Sequence, residues 1–286
     1  MITVFTPSWN RRNTLKGLYE TLLKQDTKAF EWLIVDDGSS DNTEEYIKKL
    51  QKENKIKINY IYKENGGKLS AYNVGLDNAK GDIFLCIDSD DILKENVLKR
   101  IESDFKSISN NEEIAGIMYV QNYIDNKEKT IGTLFPSDGL VDTYYNIYNK
   151  HKVSGDKLIV FKTKIAKEYH FPIIKGEKFV PEALVYNRVS KKHKFMCMNY
   201  VTSYKEYLQD GYSNNYFKLV KRNPLGNMLY YRELFDIKHS TYNVYGYLLF
   251  GIYGKKKFRE LLKEHPAKIR VCLLYIPTIL VSKIKK

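Results

Sequence analysis

Asp88-Ser89-Asp90 stands at the end of the apolar run Ile83-Phe84-Leu85-Cys86-Ile87 and puts two carboxylates on one side of an extended segment of period two. Hard divalent cations take oxygen ligands and often bind through one or two carboxylates completed by substrate phosphates. Such a pair therefore suits a metal–phosphate unit, and a solvated strand-end turn is the alternative. Asp91 adds a third acid, and neighbouring carboxylates repel one another unless a cation offsets them. A second acidic strand end, Val35-Asp36-Asp37-Gly38-Ser39, offers carboxylates that could accept hydrogen bonds from a nucleobase N–H or a ribose hydroxyl, as the acid after a dinucleotide-binding strand does. The alternative there is a plain turn. Asp41, three residues before Glu44, has the spacing of a capping box and reads as structural.

Asn65-Gly66-Gly67-Lys68 is a Gly-rich turn that opens a helical pattern. Backbone N–H groups at a helix start favour an anion, and Lys68 adds a mobile positive charge. The spacing fits neither a G-x-x-x-x-G-K-[ST] phosphate loop nor a G-x-G-x-x-G dinucleotide site.

The elements that must position these groups follow from periodicity. Strands are expected over 2–6, 30–36, 58–62 and 83–88, and helices over 13–25, 43–54, 68–79 and 96–105. That alternation predicts right-handed crossovers and a mainly parallel sheet covered on both faces. Ligands of such sheets gather at the carboxyl ends of the strands, so the three clusters should share one cleft. From about 115 to 221 the pattern changes to shorter strands (116–120, 158–162, 201–207) mixed with short helices. After Pro224 it becomes helical over 225–235, 242–253, 255–263 and 267–286. The expected division is a catalytic domain over 1–223, with halves 1–105 and 106–223, and a basic amphipathic helical region over 224–286.

Taken in order, Thr6-Pro7-Ser8-Trp9-Asn10-Arg11, the Asp36-Asp37-Gly38-Ser39 turn, Asn65-Gly66-Gly67-Lys68 with Asn73 and Gly75, and Asp88-Ser89-Asp90-Asp91 closely resemble the family 2 glycosyltransferases with the GT-A fold. The resemblance covers roughly the first 105 residues. It implies an α/β, Rossmann-like fold and inverting transfer from a nucleoside-diphosphate sugar, UDP first among nucleotides. The donor would lie against Thr6, Pro7, Asn10, Arg11, Asp36, Asp37, Gly67, Lys68, Asn73, Asp88 and Ser89. Asp90, with Asp88, would hold Mn²⁺ or Mg²⁺. An acidic general base is implied in the second half, where the family often has Glu-Asp and this chain has Glu182-Ala183. Glu182 is the first choice and Glu177 its rival, although an acid at a helix start can serve the helix dipole alone. Tyr207-Leu208-Gln209-Asp210-Gly211-Tyr212-Ser213 resembles a segment of bacterial polysaccharide members, which places Asp210 and Ser213 in the acceptor region and points to capsule or exopolysaccharide assembly.

Composition bounds the rest. In 286 residues, 43% hydrophobic and 28% charged, disorder and fibrous architectures are excluded. Three widely spaced cysteines suggest a reduced, cytosolic setting. The N-terminus lacks the basic start of a signal peptide, and the apolar stretch 271–281 falls short of the ~20 residues a spanning helix needs. Lys+Arg exceed Asp+Glu by 13, and residues 255–286 hold ten basic residues against two acidic ones. A basic amphipathic tail suits an anionic membrane surface, which would place the protein peripherally at the inner face of the cell membrane with a lipid-linked saccharide acceptor. No nucleic-acid-reading motif accompanies the charge, and self-association is left open. A nucleotidyltransferase would need a Gly- and Lys/Arg-rich triphosphate loop that Ser8-Trp9-Asn10-Arg11 does not supply. A silent nucleotide-sugar-binding module would keep the donor residues but not the base.

Overall fold

The structure, a computed structural model, describes residues 1–205 and 216–284. In chain order its elements are β1 (Ile2–Ser8), α1 (Arg12–Leu23), β2 (Phe30–Asp36), α2 (Thr43–Glu53), β3 (Ile58–Tyr62), α3 (Lys68–Asn78), β4 (Ile83–Cys86), β5 (Ile92–Leu93), α4 (Val97–Ile108) and β6 (Ile114–Tyr123). There follow β7 (Leu140–Asp142), α5 (Tyr144–Asn149), β8 (Lys157–Lys162), α6 (Thr163–Ala166), α7 (Ala183–Val189), β9 (Lys194–Lys205), α8 (Tyr216–Arg222), α9 (Pro224–Ile237), α10 (Thr241–Tyr253), α11 (Phe258–Glu264) and α12 (Lys268–Ile284). The chain forms two compact units, Met1–His170 with Val185–Glu206, and Phe171–Leu184 with Tyr207–Lys286.

The first unit is built on one sheet ordered β3-β2-β1-β4-β8-β6-β9-β5, with β7 on β9. β1 and β2 are buried at every position, as strands covered on both faces must be. Pairing is parallel through β3, β2, β1 and β4, as the strand–helix alternation predicts. Beyond β4 the sheet is mixed: β8 is antiparallel to β4 and β6, whereas β6 and β9 are parallel. On one face Ile2, Val4, Trp32 and Ile34 meet Leu15, Leu18 and Leu22 of α1, Ile47 and Leu50 of α2, and Ile101 and Phe105 of α4. On the other, Phe5 stacks on Phe84 at 5.4 Å and takes the edge of Tyr72 from α3. Gly75 lets α3 approach that closely, since a Cβ there would lie 2.2 Å from the Phe5 ring.

Three features depart from expectation. β5 and β7 are too short to carry a period, and β9 starts at Lys194 rather than near 201, its first half reading Lys-Phe-Met-Cys-Met-Asn with little β-branching. Asp41 does not cap α2. The N-cap is Asn42 in the left-handed region, without a side-chain cap bond, and Asp41 accepts instead from the Thr43 hydroxyl (2.6 Å) and the Arg12 N–H (3.0 Å).

The second unit is helical around Met228, Phe235, Val244, Tyr247, Leu248, Leu261 and Val271. The apolar residues of α10 largely serve this core, with Gly246 set against the Tyr231 ring. α12 has its buried Val271 and Thr278 on one side, while Ile269, Leu273, Ile276 and Leu280 are 78%, 70%, 68% and 59% exposed. Their spacing of four, three and four puts these last on one face. Among the described residues no helix is long and apolar enough to cross a membrane.

Candidate active site

All the strand-end clusters that the first unit was expected to bring together are adjacent in it. β1 and β2 finish level, with Ser8 opposite Asp36, and the Asp37 N–H donates to the Ser8 carbonyl at 2.8 Å. The Lys63 N–H donates to the Asp36 carbonyl at 2.9 Å, so the chain leaving β3 passes beside both acids. The Asp37 carboxylate is saturated. One oxygen accepts from Lys63 Nζ (2.6 Å) and the Gly66 N–H (2.9 Å), the other from Asn65 Nδ2 (3.1 Å) and the Gly67 N–H (2.7 Å), and a carboxylate offers about four lone-pair positions. Gly67 holds φ +93° and Gly38 holds φ +84°, with Asn65 packed against Gly38. Both are conformations that favour glycine. The Gly-rich turn is thereby fastened to the acidic end of β2.

Asp36 accepts from the Ser39 N–H (2.8 Å) and the Tyr60 hydroxyl (2.7 Å), and burial together with that carboxylate pushes the Tyr60 phenol up, so it stays a donor. The loop after β1 is tied down in the same way: the Asn10 N–H donates to Ser39 Oγ and Asn10 Oδ1 accepts from the Ser40 N–H, both at 2.8 Å.

Beyond β4, Lys68 from the first position of α3 reaches Asp88, its Nζ 2.8 Å from Oδ1 and 3.1 Å from Oδ2. Lys205 approaches the same carboxylate at 3.8 Å. Burial opposes ionisation of Asp88, but Lys68, Lys205 and more distant Arg11 hold its pKa down at about 2. Its neighbours go the other way. Burial and the Asp88 charge raise Asp90, and burial with both neighbouring carboxylates raises Asp91 against the pull of Lys205. Asp91 Oδ1 is buried without a hydrogen-bond partner among the described residues. Hard oxygen donors, mutual repulsion and an unsatisfied buried oxygen fit a divalent cation. Among the described residues no three acidic, His or Cys side chains form a ready cage.

Not every expected residue faces this site. Thr6 is fully buried, its hydroxyl accepting from the Trp32 indole at 3.1 Å, and Pro7 is buried within β1. Ser89 is buried, and Asn73 is half-buried on the second turn of α3. Glu177 and Glu182 belong to the second unit. Asp210 and Ser213 lie outside the described residues. Four residues were not legible as site residues: Tyr60, Lys63, Lys205 and Asp156, whose Oδ2 lies 3.4 Å from Lys205 Nζ. Lys63 directly follows β3 and could have been found by applying the strand-end rule one residue earlier.

The sequence profile of Glycosyl transferase family 2 matches residues 3–169, more than half of the chain. The chain belongs to that family. Its fold is the GT-A architecture. An uncharacterised glycosyltransferase of Nostoc sp. is 33% identical over 130 residues, and the Streptococcus pneumoniae glycosyltransferase GlyG 36% identical over 103. These matches take in 46% and 35% of this chain but only 39% and 34% of those relatives' lengths. The Campylobacter jejuni GalNAc(5)-diNAcBac-PP-undecaprenol beta-1,3-glucosyltransferase matches all of this chain and 96% of its own length at 27% identity. Among solved structures, S. aureus TarS 1–349 in complex with UDP-GlcNAc matches this family 2 chain with a TM-score of 0.62 at 17% identity, over 97% of this chain and 88% of that one. The Pyrobaculum calidifontis mannosyltransferase PcManGT, in complex with GDP-Man and Mn²⁺, gives 0.58 at 14%, over 100% and 75%. These structural likenesses speak to the fold.

Proposed function

We propose that this glycosyltransferase moves a sugar, with inversion, from a nucleoside-diphosphate sugar, UDP-linked in the first instance, to a hydroxyl of a lipid-linked saccharide in surface-polysaccharide assembly. The observation that carries the reading is the Lys68–Asp88 pair at 2.8 Å, which joins an anion-favouring helix start to the strand-end acids. The relative that acts on a polyprenyl-diphosphate saccharide supports the acceptor class. In the reaction the acceptor oxygen bonds to the anomeric carbon as the bond from that carbon to the diphosphate oxygen breaks. The transition state has oxocarbenium character, and negative charge grows on the departing diphosphate. The Lys68 ammonium faces that charge. The acceptor's proton passes to a carboxylate, assigned to Glu182. Its rival Glu177 already accepts from the N–H groups of Leu225 (2.7 Å) and Gly226 (2.8 Å) at the start of α9. Attack opposite the leaving group inverts the centre. Mn²⁺ or Mg²⁺, bound by Asp90 and Asp88, would supply Lewis-acid stabilisation of the leaving group.

Release of nucleoside diphosphate from UDP-, GDP-, CDP- and dTDP-sugars, with Mn²⁺ and with or without a polyprenyl-diphosphate saccharide, tests this. Acceptor-dependent release that falls at least a hundredfold in Asp90→Asn is expected. No release from any donor, or full turnover of Asp90→Asn in EDTA, would refute it.

The α12 ridge of Ile269, Leu273, Ile276 and Leu280 is assigned to an anionic bilayer at the inner face of the membrane. The exposed Lys268, Arg270 and Lys283 on the same helix supply matching charge, each basic residue near such a surface contributing about 1 kcal/mol. Co-sedimentation with phosphatidylglycerol vesicles should be lost in Leu273→Glu/Ile276→Glu. Undiminished sedimentation, or equal binding to phosphatidylcholine, would rule the bilayer out.

A further inference from the structure

Lys205 is the last residue of β9, and its position follows from the sheet: Ile92 pairs with Tyr204, so the next residue emerges beside Asp91. Its side chain is 19% exposed, and its Nζ lies 3.8 Å from Asp88 Oδ2 and 3.4 Å from Asp156 Oδ2. Those acids and Asp91 keep it charged against the cost of burial. Neither contact is a hydrogen bond, and among the described residues the ammonium makes none, whereas Lys68 makes a hydrogen bond to Asp88. An ammonium carries three donors, and burying it is costly unless they find acceptors. Asp88 already has its close cation. Lys205 is thus a second positive charge at the strand-end acids, held in place by long ion pairs on two sides and with its donors unspent.

We propose that Lys205 is a diphosphate-binding residue of the donor site. Together with Lys68 it grips the oxygens of the nucleoside diphosphate, which supply acceptors that the described residues do not. This rests on the donor reading above and names a residue for it outside the recognised motifs. Asp156 holds Lys205 in the ligand-free protein and competes with the diphosphate for it.

The probes are UDP and uridine, with GDP, CDP and dTDP and their nucleosides as alternates, titrated calorimetrically in EDTA so that only side chains contribute. The wild-type protein should prefer the diphosphate to the nucleoside. Lys205→Met should lose about tenfold or more of that preference, the scale of one charge-assisted hydrogen bond, while nucleoside affinity holds. Lys205→Arg should keep most of it. Asp156→Asn, at a half-exposed site, should shift the preference the other way, tightening the diphosphate several-fold. A structural lysine would move nucleoside and diphosphate together. An unchanged preference in Lys205→Met, or in Asp156→Asn should Lys205→Met not fold, overturns the assignment while leaving the donor reading intact. A wild-type protein that binds none of the four diphosphates overturns both.

Discussion

Asp37→Asn should loosen the Gly-rich turn before it alters anything else. The carboxylate is 4% exposed and receives four donors, two on each oxygen, between 2.6 and 3.1 Å. Asparagine keeps one oxygen and turns an NH₂ group toward the other pair of donors, so two charge-assisted bonds are lost and two N–H groups face a third. Hydrogen bonds to charged groups contribute about 1.5–3 kcal/mol each, and breaking a buried ion pair costs about 3–5 kcal/mol. The expected loss is therefore about 3–5 kcal/mol of unfolding free energy by urea titration. Because Gly66 bonds one carboxylate oxygen and Gly67 the other, one of these two amides is orphaned whichever way the new amide turns, and hydrogen exchange should accelerate in peptides spanning 62–72 at pH 7, in the folded baseline well below the unfolding transition. Donor affinity should fall in the same proportion for diphosphate and nucleoside. A variant within about 0.5 kcal/mol of wild type with unchanged exchange would show that the four contacts do not fasten the loop.

Two further outcomes are expected. Glu177→Gln should lower the stability of the helical unit by about 1–2 kcal/mol, on the scale of a lost helix-cap interaction, with kcat unchanged, whereas Glu182→Gln should reduce kcat at least a hundredfold without moving Tm; the reverse pattern would exchange their roles. His265 is buried between Phe235 and Tyr247, and burial and then Arg232 push its pKa down to about 4. Its unfolded value is about 6.5. Below that value the unfolded chain takes the proton first, so the stability it contributes is full above pH 6.5 and is lost as pH falls toward 4. The loss should be about 2 kcal/mol between pH 7.5 and 5. His265→Leu should flatten that part of the profile relative to wild type, and parallel profiles would contradict the assignment.

The part of the fold legible in the sequence is the part whose contacts are local. Largely apolar runs of four to seven residues ending in polar turns located β1 to β4, and 3.6-residue periodicity located α1 to α4 to within about three residues. Since parallel crossover units put their strand ends together, the meeting of Asp37, Asn65–Lys68 and Asp88 followed from the pattern alone. What local periodicity cannot encode is which distant strand sits next. The antiparallel β8 beside β4, and β9 between β6 and β5, are set by tertiary pairing. Lys205 owes its place wholly to that pairing. Asp37 illustrates a different limit: the type and position of the residue were readable, but its saturation by four donors depends on Lys63 and Asn65 folding back over it.

The apolar helices of the second unit show why composition alone could not separate packing from docking. α10 and α12 are both apolar segments bordered by lysines. In α10, Gly246 and Gly251 bring Tyr231 and Leu261 against the helix and turn its apolar side chains into core. α12 has no such glycine, and its ridge stays exposed opposite Val271. The charge divides along the same line. At the strand ends the acids are countered by Lys63, Lys68 and Lys205, so that region is not where the surplus of 13 resides. Among the described residues from 255 onward, only Lys256 pairs with acids, Glu260 and Glu264. Unpaired basic groups repel one another in water, a cost that selection tolerates where an anionic surface offsets it. On the bilayer assignment proposed above, one anionic surface would both cover the exposed ridge and offset these charges, whereas a second copy of this chain would bury the ridge only by bringing like charges together.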